Sequence, residues 1–309
     1  MTDSSLPHPS PRFLVSAGGR DASPRAIYRL AGGIDLLAPV LQELRAFEVA
    51  GAKPLESTAH PVSLLGLHSV APNFDEVAFV FGTHRRVRTQ GSAEGYRIEV
   101  DGSAPFTVSR AGRIEWPPGL SEAEVEDVAR VSLLGPGLIL ALALRDIFCI
   151  HASAVSLDGR AALFVGRSGA GKSTLAARLG SRFFRLTDDI TPLVGALPSV
   201  DPAYPQLKLR LEEQSTALGV GATRLWRIYA LESALDVSIA ALPPAASLQL
   251  LVAQSVAARL FAPDLLARHF ATVADWARRI PVRALRYPRR FDVLDDVRAA
   301  VEADLSGPD

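Results

Sequence analysis

The chain has 309 residues, and its 33 basic and 33 acidic side chains give a formal net charge of zero, which argues against a general nucleic-acid binder because such proteins carry a basic excess. A hydrophobic content of 48% with 21% charged residues is typical of a soluble globular protein, and the length allows two domains. The single cysteine, Cys149, excludes an internal disulfide and a cysteine-based metal cluster within one chain, so we expect a protein of the reducing cytoplasm.

The region before residue 148 carries weak chemical signals. Residues 1–11 are polar and proline-rich without the apolar core of a signal peptide, and we expect a disordered tail there. We predict that residues 12–147 form a smaller α+β domain that serves acceptor recognition or assembly. Its short strands, which we expect to form a small antiparallel sheet, are predicted at 77–81, 96–100, 106–108 and 113–116.

A helical pattern follows these strands. Ser121 and Glu124 have the spacing of a capping box, and the helix should break near Pro136 and resume to about Arg145. The stretch from 131 to 144 is the most apolar of the chain, but it is too short to span a bilayer. We therefore predict a buried helix and no membrane partner.

Residues 166–173 fit the phosphate-binding pattern G-x-x-x-x-G-K-[ST] at every fixed position, and they are Gly166, Arg167, Ser168, Gly169, Ala170, Gly171, Lys172 and Ser173. The glycines let the backbone turn tightly and point N–H groups at a triphosphate. Lys172 can reach the β- and γ-phosphates, and the Ser173 hydroxyl can ligate Mg²⁺. Thr174 follows and offers a second hydroxyl. The sequence therefore predicts that ATP binds here with Mg²⁺.

The residues around this loop have the order strand, loop, helix that the motif requires. An apolar run at 161–165 precedes the loop, and a helical pattern begins at 175. A further apolar run at 148–155 and a turn at Asp158 predict a hairpin that leads into the loop. That run contains His151, which is either a core histidine, as lone histidines in apolar runs usually are, or a functional group.

Two acidic residues follow the loop closely. A strand predicted at 183–187 ends in Asp188 and Asp189, and the end of such a strand is where an α/β sheet presents catalytic and Mg²⁺-binding carboxylates. Neighbouring side chains in a strand point to opposite faces, so we expect two different roles. Lys208 and Arg210 lie on one face of a further presumed strand at 204–210 and either meet phosphates or form a solvated face.

The remaining part of the chain shows no chemical motif, and we expect it to form strands and helices that support the site. Strands are expected at 226–231, 237–241 and 282–286, and helices at 247–260, 264–279 and 292–305. Two basic clusters occur, one at 84–88 in a presumed loop and one made of the arginines between 278 and 290. Either cluster could contact an acidic substrate, but solvated faces with local ion pairs explain most such patches.

The order of these motifs resembles that of a known kinase family. His151, Gly159, the loop 166–173, Leu186 and the pair 188–189 are similar in order to the kinase domain of HPr kinase/phosphorylase and its looser relatives, the kinases that modify lasso-peptide precursors included. Pro205 to Leu209 also looks like a segment of these relatives. The resemblance covers about residues 148 to 300.

This resemblance implies both a fold and roles. The fold would be α/β, a P-loop kinase domain of the HPr kinase and phosphoenolpyruvate carboxykinase type over residues 148–309. The resemblance makes Asp188 the base toward a serine hydroxyl, brings His151 near the phosphate and leaves Asp189 with Ser173 for Mg²⁺. Residues 201–205 stand where HPr kinase/phosphorylase proper has an R-G-x-G element, which argues against phosphorolysis and against HPr as the substrate.

These observations predict an ATP-dependent kinase that phosphorylates a serine or threonine hydroxyl of a peptide or protein, a ribosomal peptide precursor among the candidates. Residues 12–147 would then recognise the acceptor or assemble the protein, and homo-oligomerisation is compatible with this prediction. Two alternatives are a kinase of a small-molecule alcohol and a nucleotide-binding regulatory ATPase. The acidic pair close after the loop favours transfer over mechanical work.

Overall fold

The computed structural model describes residues 12–17, 25–39, 41–48, 72–80, 83–92, 95–110 and 114–307. The predicted tail at 1–11 lies outside them. The described chain is a mixed α/β structure with two sheets. None of its helices combines the length and the apolar character that a membrane crossing requires.

The first sheet has eight strands in the order β2-β3-β1-β8-β7-β6-β5-β4. They are β1 Arg12–Ala17, β2 Arg25–Leu30, β3 Ile34–Pro39, β4 Phe74–Val80, β5 Thr83–Ser92, β6 Gly95–Val100, β7 Phe106–Ser109 and β8 Ile114–Trp116. The predicted antiparallel meander is confirmed for β4 to β8. The sheet is larger than predicted, because β1 pairs in parallel with both β3 and β8.

The basic cluster at 84–88 is not in a loop, as the sequence suggested, but inside β5. The pairing with β4 brings Arg86 and Arg88 within 2.6 Å and 3.1 Å of the Asp75 carboxylate. Cross-strand charge pairing of this kind stabilises a sheet face. The cluster is therefore explained by local ion pairs rather than by an acidic ligand.

Two helices follow the first sheet, α1 Glu122–Leu133 and α2 Pro136–Ala143. The predicted capping box is confirmed, since the Glu124 N–H donates to Ser121 Oγ and the Ser121 N–H donates to the Glu124 carboxylate. The predicted break is confirmed as well, with Pro136 in the first turn of α2. Most of α2 is buried, which its apolar composition predicts.

The second sheet has seven strands, β9 Phe148–Leu157, β10 Arg160–Val165, β11 Phe184–Val194, β12 Ser199–Val200, β13 Thr223–Ser233, β14 Ser238–Ala241 and β15 Val282–Tyr287. Their order is β10-β9-β11-β12-β13-β15-β14, and β10 also pairs in parallel with β13. The first five strands of this order therefore close into a ring. The predicted hairpin of β9 and β10 is confirmed.

Five helices accompany this sheet, α3 Lys172–Arg178, α4 Leu211–Val220, α5 Pro244–Ala253, α6 Pro263–Arg279 and α7 Leu294–Ser306. The scaffold strands and helices predicted after residue 226 are confirmed to within a few residues, except that α5 ends before a short 3₁₀ turn at Ala258–Leu260.

Buried apolar side chains form two clusters. The larger draws residues from both sheets and from α2, so the two halves share a continuous core. The boundary predicted at 147/148 falls between α2 and β9 and stays a prediction. The smaller cluster lies between β10, α3 and α7 and includes Phe164, Leu175, Tyr229 and Val297. Ala170 of the phosphate-binding motif belongs to this cluster, so the motif packs against it.

Candidate active site

The motif at 166–173 forms the loop between β10 and α3, as the sequence predicts. Gly166, Gly169 and Gly171 have φ angles of 150°, 77° and 92°, a region that side chains with a Cβ rarely adopt. Lys172 Nζ donates to the carbonyl oxygens of Gly166, at 2.9 Å, and Arg167, at 3.3 Å. The ammonium group therefore lies inside the curve of the loop.

The register of the second sheet determines which residues lie beside this loop. Val165, the last residue of β10, is opposite Ala152 of β9, and Ala152 is in turn opposite Asp189 of β11. Opposed residues of adjacent strands have Cα atoms roughly 5 Å apart, so Asp189 lies about 10 Å from the start of the loop. His151 is one residue further along β9. The structure thus brings the predicted histidine and both aspartates beside the end of β10, where the loop begins.

The prediction that a strand ends at Asp188 and Asp189 is wrong. Strand β11 continues to Val194, because its pairing with β9 runs on to Leu193. A register shift between Arg185 and Thr187 marks a bulge just before the two aspartates. Bulges redirect side chains within a strand, so the pair lies inside a paired strand and not at its exit.

Asp188 is enclosed by hydrogen bonds and is only 2% exposed. Its Oδ1 accepts from Ser153 Oγ at 2.5 Å, and its Oδ2 accepts from Arg185 Nη2 at 2.9 Å. Its backbone N–H donates to Gln206 Oε1 at 2.8 Å. Both oxygens of the carboxylate are thus engaged, and in this conformation the predicted base does not face solvent.

Asp189 occupies the open side of the site. Its side chain is 36% exposed, and its Oδ1 lies 3.1 Å from His151 Nδ1 and 3.1 Å from Lys208 Nζ. The hydrogen bond from His151, followed by the interactions with Lys208, holds the pKa of Asp189 below its ordinary value of 3.8. Its φ of 98° is unusual for a residue with a side chain, and such backbone strain is concentrated at functional sites.

His151 is not the core histidine that its apolar run favoured, because its side chain is 38% exposed. Its backbone N–H donates to the Gln254 carbonyl at 2.7 Å, which fixes the strand on which the ring sits. The contact of its Nδ1 with Asp189 orients the ring toward that carboxylate.

Lys208 belongs to this group, although the strand predicted at 204–210 is wrong. Residues 207–209 form a turn, and α4 begins directly afterwards. Only three of the 33 basic residues in the chain are lysines, and two of them, Lys172 and Lys208, lie at this site. The pKa of Lys172 is lowered mainly by burial, and the positive charge of Lys208 lowers it further. The use of lysine instead of arginine at both positions is the sequence feature that could have indicated Lys208.

Three further residues of the site were not predicted as site residues, namely Ser153, Arg185 and Gln206, although Gln206 lies in the segment 205–209 that resembles the relatives. Each contacts Asp188, and Arg185 Nη1 also donates to Glu213 of α4. The pairing of β9 with β11 brings Ser153 to Asp188. Arg185 lies three residues before Asp188 on β11, and Gln206 reaches it from the segment between β12 and α4.

The arginines between 278 and 290 do not form one patch. Arg278 and Arg279 pair with Asp275, Arg283 contacts Asp304, and Arg286 pairs with Glu232, all as local ion pairs. The exception is Arg289, whose Nη1 donates to the Gly169 carbonyl of the loop at 3.3 Å.

The residues of the loop fit ATP with Mg²⁺. The left-handed glycines and the inward ammonium of Lys172 are what a polyphosphate requires. Among the described residues there is no group of three or more histidine, cysteine or acidic side chains that could hold a metal by themselves. Mg²⁺ bound to a nucleotide usually takes most of its ligands from phosphates and water, so one hydroxyl, that of Ser173, and one nearby carboxylate are compatible with it.

Comparison with known proteins gives little. No family model and no curated protein matches the chain. Among solved structures, the Hpr(Ser) kinase/phosphatase from Coxiella burnetii is similar over 50% of this chain and 89% of that chain, with 10% sequence identity and a TM-score of 0.27. A TM-score this low supports no argument, so the family resemblance of the motifs stays a prediction.

Proposed function

We propose that the protein is an ATP-dependent kinase that transfers the γ-phosphoryl group to a serine or threonine hydroxyl of a peptide or protein. The observation that carries this proposal is the sheet register, because it sets an accessible carboxylate, that of Asp189, with its contacts to His151 and Lys208 beside a loop of phosphate-binding sequence. A carboxylate in this place can ligate the Mg²⁺ of a bound nucleotide, and it can also accept the proton of an acceptor hydroxyl, which a kinase requires.

The nucleotide would be held by the loop amides and by Lys172. The Ser173 hydroxyl would hold Mg²⁺ together with phosphate oxygens, and the bound metal would neutralise charge on the phosphates. Asp189 interacts with both lysines: its charge raises the pKa of Lys172, and its carboxylate contacts Lys208 Nζ at 3.1 Å. Two cations placed where negative charge develops lower the barrier to phosphoryl transfer.

Asp189 would orient the acceptor hydroxyl. As the bond from the hydroxyl oxygen to the γ-phosphorus forms and the bond to the β,γ-bridging oxygen breaks, the hydroxyl proton passes to the Asp189 carboxylate and from there to water. We assign this role to Asp189 rather than to Asp188 because Asp189 is exposed and both oxygens of Asp188 are engaged. His151 positions Asp189 through its Nδ1 contact.

The nucleotide part of the proposal is tested by titrating ATP with Mg²⁺ into the wild type, Lys172→Ala and Lys172→Met. Removing a hydrogen-bonded charge should weaken ATP binding by about 10- to 100-fold in both variants, and the methionine keeps the packing of the buried stem. Isothermal titration calorimetry measures the affinities. Arg279→Ala removes an exposed charge on α6 and should bind ATP like the wild type.

An affinity for ATP that is unchanged in Lys172→Met would contradict the phosphate-binding role of the loop. The proposed transfer to a serine or threonine hydroxyl depends on Asp189, and an assay of phosphoryl transfer tests it.

A further inference from the structure

A second recognition element adjoins the phosphate-binding loop. A cavity of about 130 Å³ lies between the loop and the segment that joins β15 to α7. Its walls include the backbone of Gly169 to Gly171, Leu175 of α3, Tyr287 at the end of β15, and Phe291. We propose that this cavity is the nucleobase subsite, in which the base of the bound nucleotide stacks on Phe291. The inference rests on the proposed ATP-dependent function.

The size of the cavity suits a ring and excludes a whole nucleotide. Sites that enclose drug-sized ligands measure roughly 300–1,000 Å³, whereas an apolar cavity of roughly 150 Å³ accepts benzene. At about 130 Å³, the space is close to that size and is partly open to solvent, so part of a planar base can enter it while the rest of the base, the sugar and the phosphates remain outside. The loop that would hold those phosphates forms one wall of the same cavity.

The chemistry of the walls suits a flat aromatic ligand. Leu175, Leu294 and the ring of Tyr287 offer apolar surface, and the Tyr287 hydroxyl lies 3.5 Å from where a Cβ on Gly171 would stand. Phe291 is 71% exposed, so its ring is accessible to a ligand. Exposed aromatic rings beside anion-binding surfaces act as stacking platforms for nucleic-acid bases.

The segment carrying Phe291 contacts both the loop and α3. Arg289 donates to the Gly169 carbonyl at 3.3 Å. The guanidinium of Arg178, at the end of α3, lies 5.7 Å from the centroid of the Phe291 ring, within the range of a cation–π contact. These contacts hold the ring at the mouth of the cavity, where a base extending from a loop-bound triphosphate would meet it.

The inference separates binding of the base from binding of the phosphates, so two probes test it. ATP carries both parts, and inorganic tripolyphosphate carries only the second. With Mg²⁺ present, Phe291→Ala should weaken ATP binding by roughly 10- to 100-fold, the range expected for loss of one base–aromatic stack, and should leave tripolyphosphate binding unchanged. Phe291→Trp, which keeps an aromatic face, should restore ATP affinity.

Calorimetric titration of the full chain measures both affinities, and Phe270→Ala, at another exposed phenylalanine on α6, is the matched control. ATP binding that is equal in wild type and Phe291→Ala overturns the inference. Equal weakening of ATP and tripolyphosphate overturns it too, because the effect would then come from the loop itself. If the wild type binds neither probe, the proposed function fails first and the subsite fails with it.

Discussion

Asp189→Asn is expected to slow phosphoryl transfer by about 10²- to 10⁴-fold, the usual contribution of a positioned acid–base group, while ATP affinity stays within a few-fold of wild type. The substitution keeps the size of the side chain and can still accept from His151 and Lys208, but it removes the charge and the basicity. The low pKa of Asp189 means that its ionised form is lost only as the pH falls below 3.8, so this residue should produce no loss of rate near neutral pH.

Single-turnover transfer from γ-labelled ATP to a pooled library of serine- and threonine-containing peptides measures this effect. Asp236→Asn, at an exposed position in the turn between β13 and β14, is the matched control and should transfer like the wild type. Asp188→Asn should act through the buried contacts with Ser153 and Arg185, so we expect it to lower the temperature of unfolding as well as the rate.

The same assay separates the base role of Asp189 from the metal role that its sequence position suggested. If Asp189 only ligates Mg²⁺, raising the Mg²⁺ concentration should restore transfer in Asp189→Asn. A rate that stays low at every Mg²⁺ concentration supports the base. A wild-type rate in Asp189→Asn together with a collapsed rate in a folded Asp188→Asn would return the base role to Asp188.

Asp304→Ala is expected to lower the free energy of unfolding by about 3–5 kcal/mol, the cost of removing one partner from a buried ion pair. Asp304, on α7, accepts from the Tyr229 hydroxyl at 2.7 Å, contacts Arg283 and lies 3.6 Å from Nε of Arg227, whose side chain is 1% exposed. Without the carboxylate, the charge of Arg227 stays buried between β13 and α7 with less compensation.

Urea unfolding, followed by circular dichroism, measures this loss of stability. Asp295→Ala on the same helix is the control, since Asp295 is 87% exposed and pairs with Arg298 only at the surface. Exposed pairs of this kind contribute about 0.2–1 kcal/mol. Equal stabilities of the two variants would show that the cluster around Asp304 does not anchor α7 to the sheet.

The parts of the site that the sequence predicted are those encoded by neighbouring residues. The phosphate-binding loop needs eight consecutive positions between a strand and a helix, and the structure has this order. The hairpin of β9 and β10 and the capping box of α1 are local in the same sense. Structures of this kind can be predicted from the sequence because their hydrogen bonds join residues that are close together in the chain.

The rest of the site depends on pairing between distant segments. Where β11 ends is decided by its partner β9, about 40 residues earlier in the chain, so the sequence pattern stopped the strand too soon. Beside this pairing Asp188 is buried and Asp189 is exposed. This contrast is the reason why we propose the base role for Asp189, whereas the motif order implied Asp188. Similarly, β1 joins β8 across about 100 residues, and only this contact turns the small meander into an eight-stranded sheet.

The most direct test of the proposed kinase is the fate of the γ-phosphoryl group. Wild-type protein is incubated with Mg²⁺, γ-labelled ATP and either the peptide library, glycerol as a simple alcohol, or no acceptor, and the products are identified by mass spectrometry. We expect phosphoserine or phosphothreonine in the peptides and little free phosphate without an acceptor. Label on glycerol alone would contradict the peptide or protein acceptor, and ATP hydrolysis at one rate in all three mixtures, with no labelled peptide, would contradict the kinase.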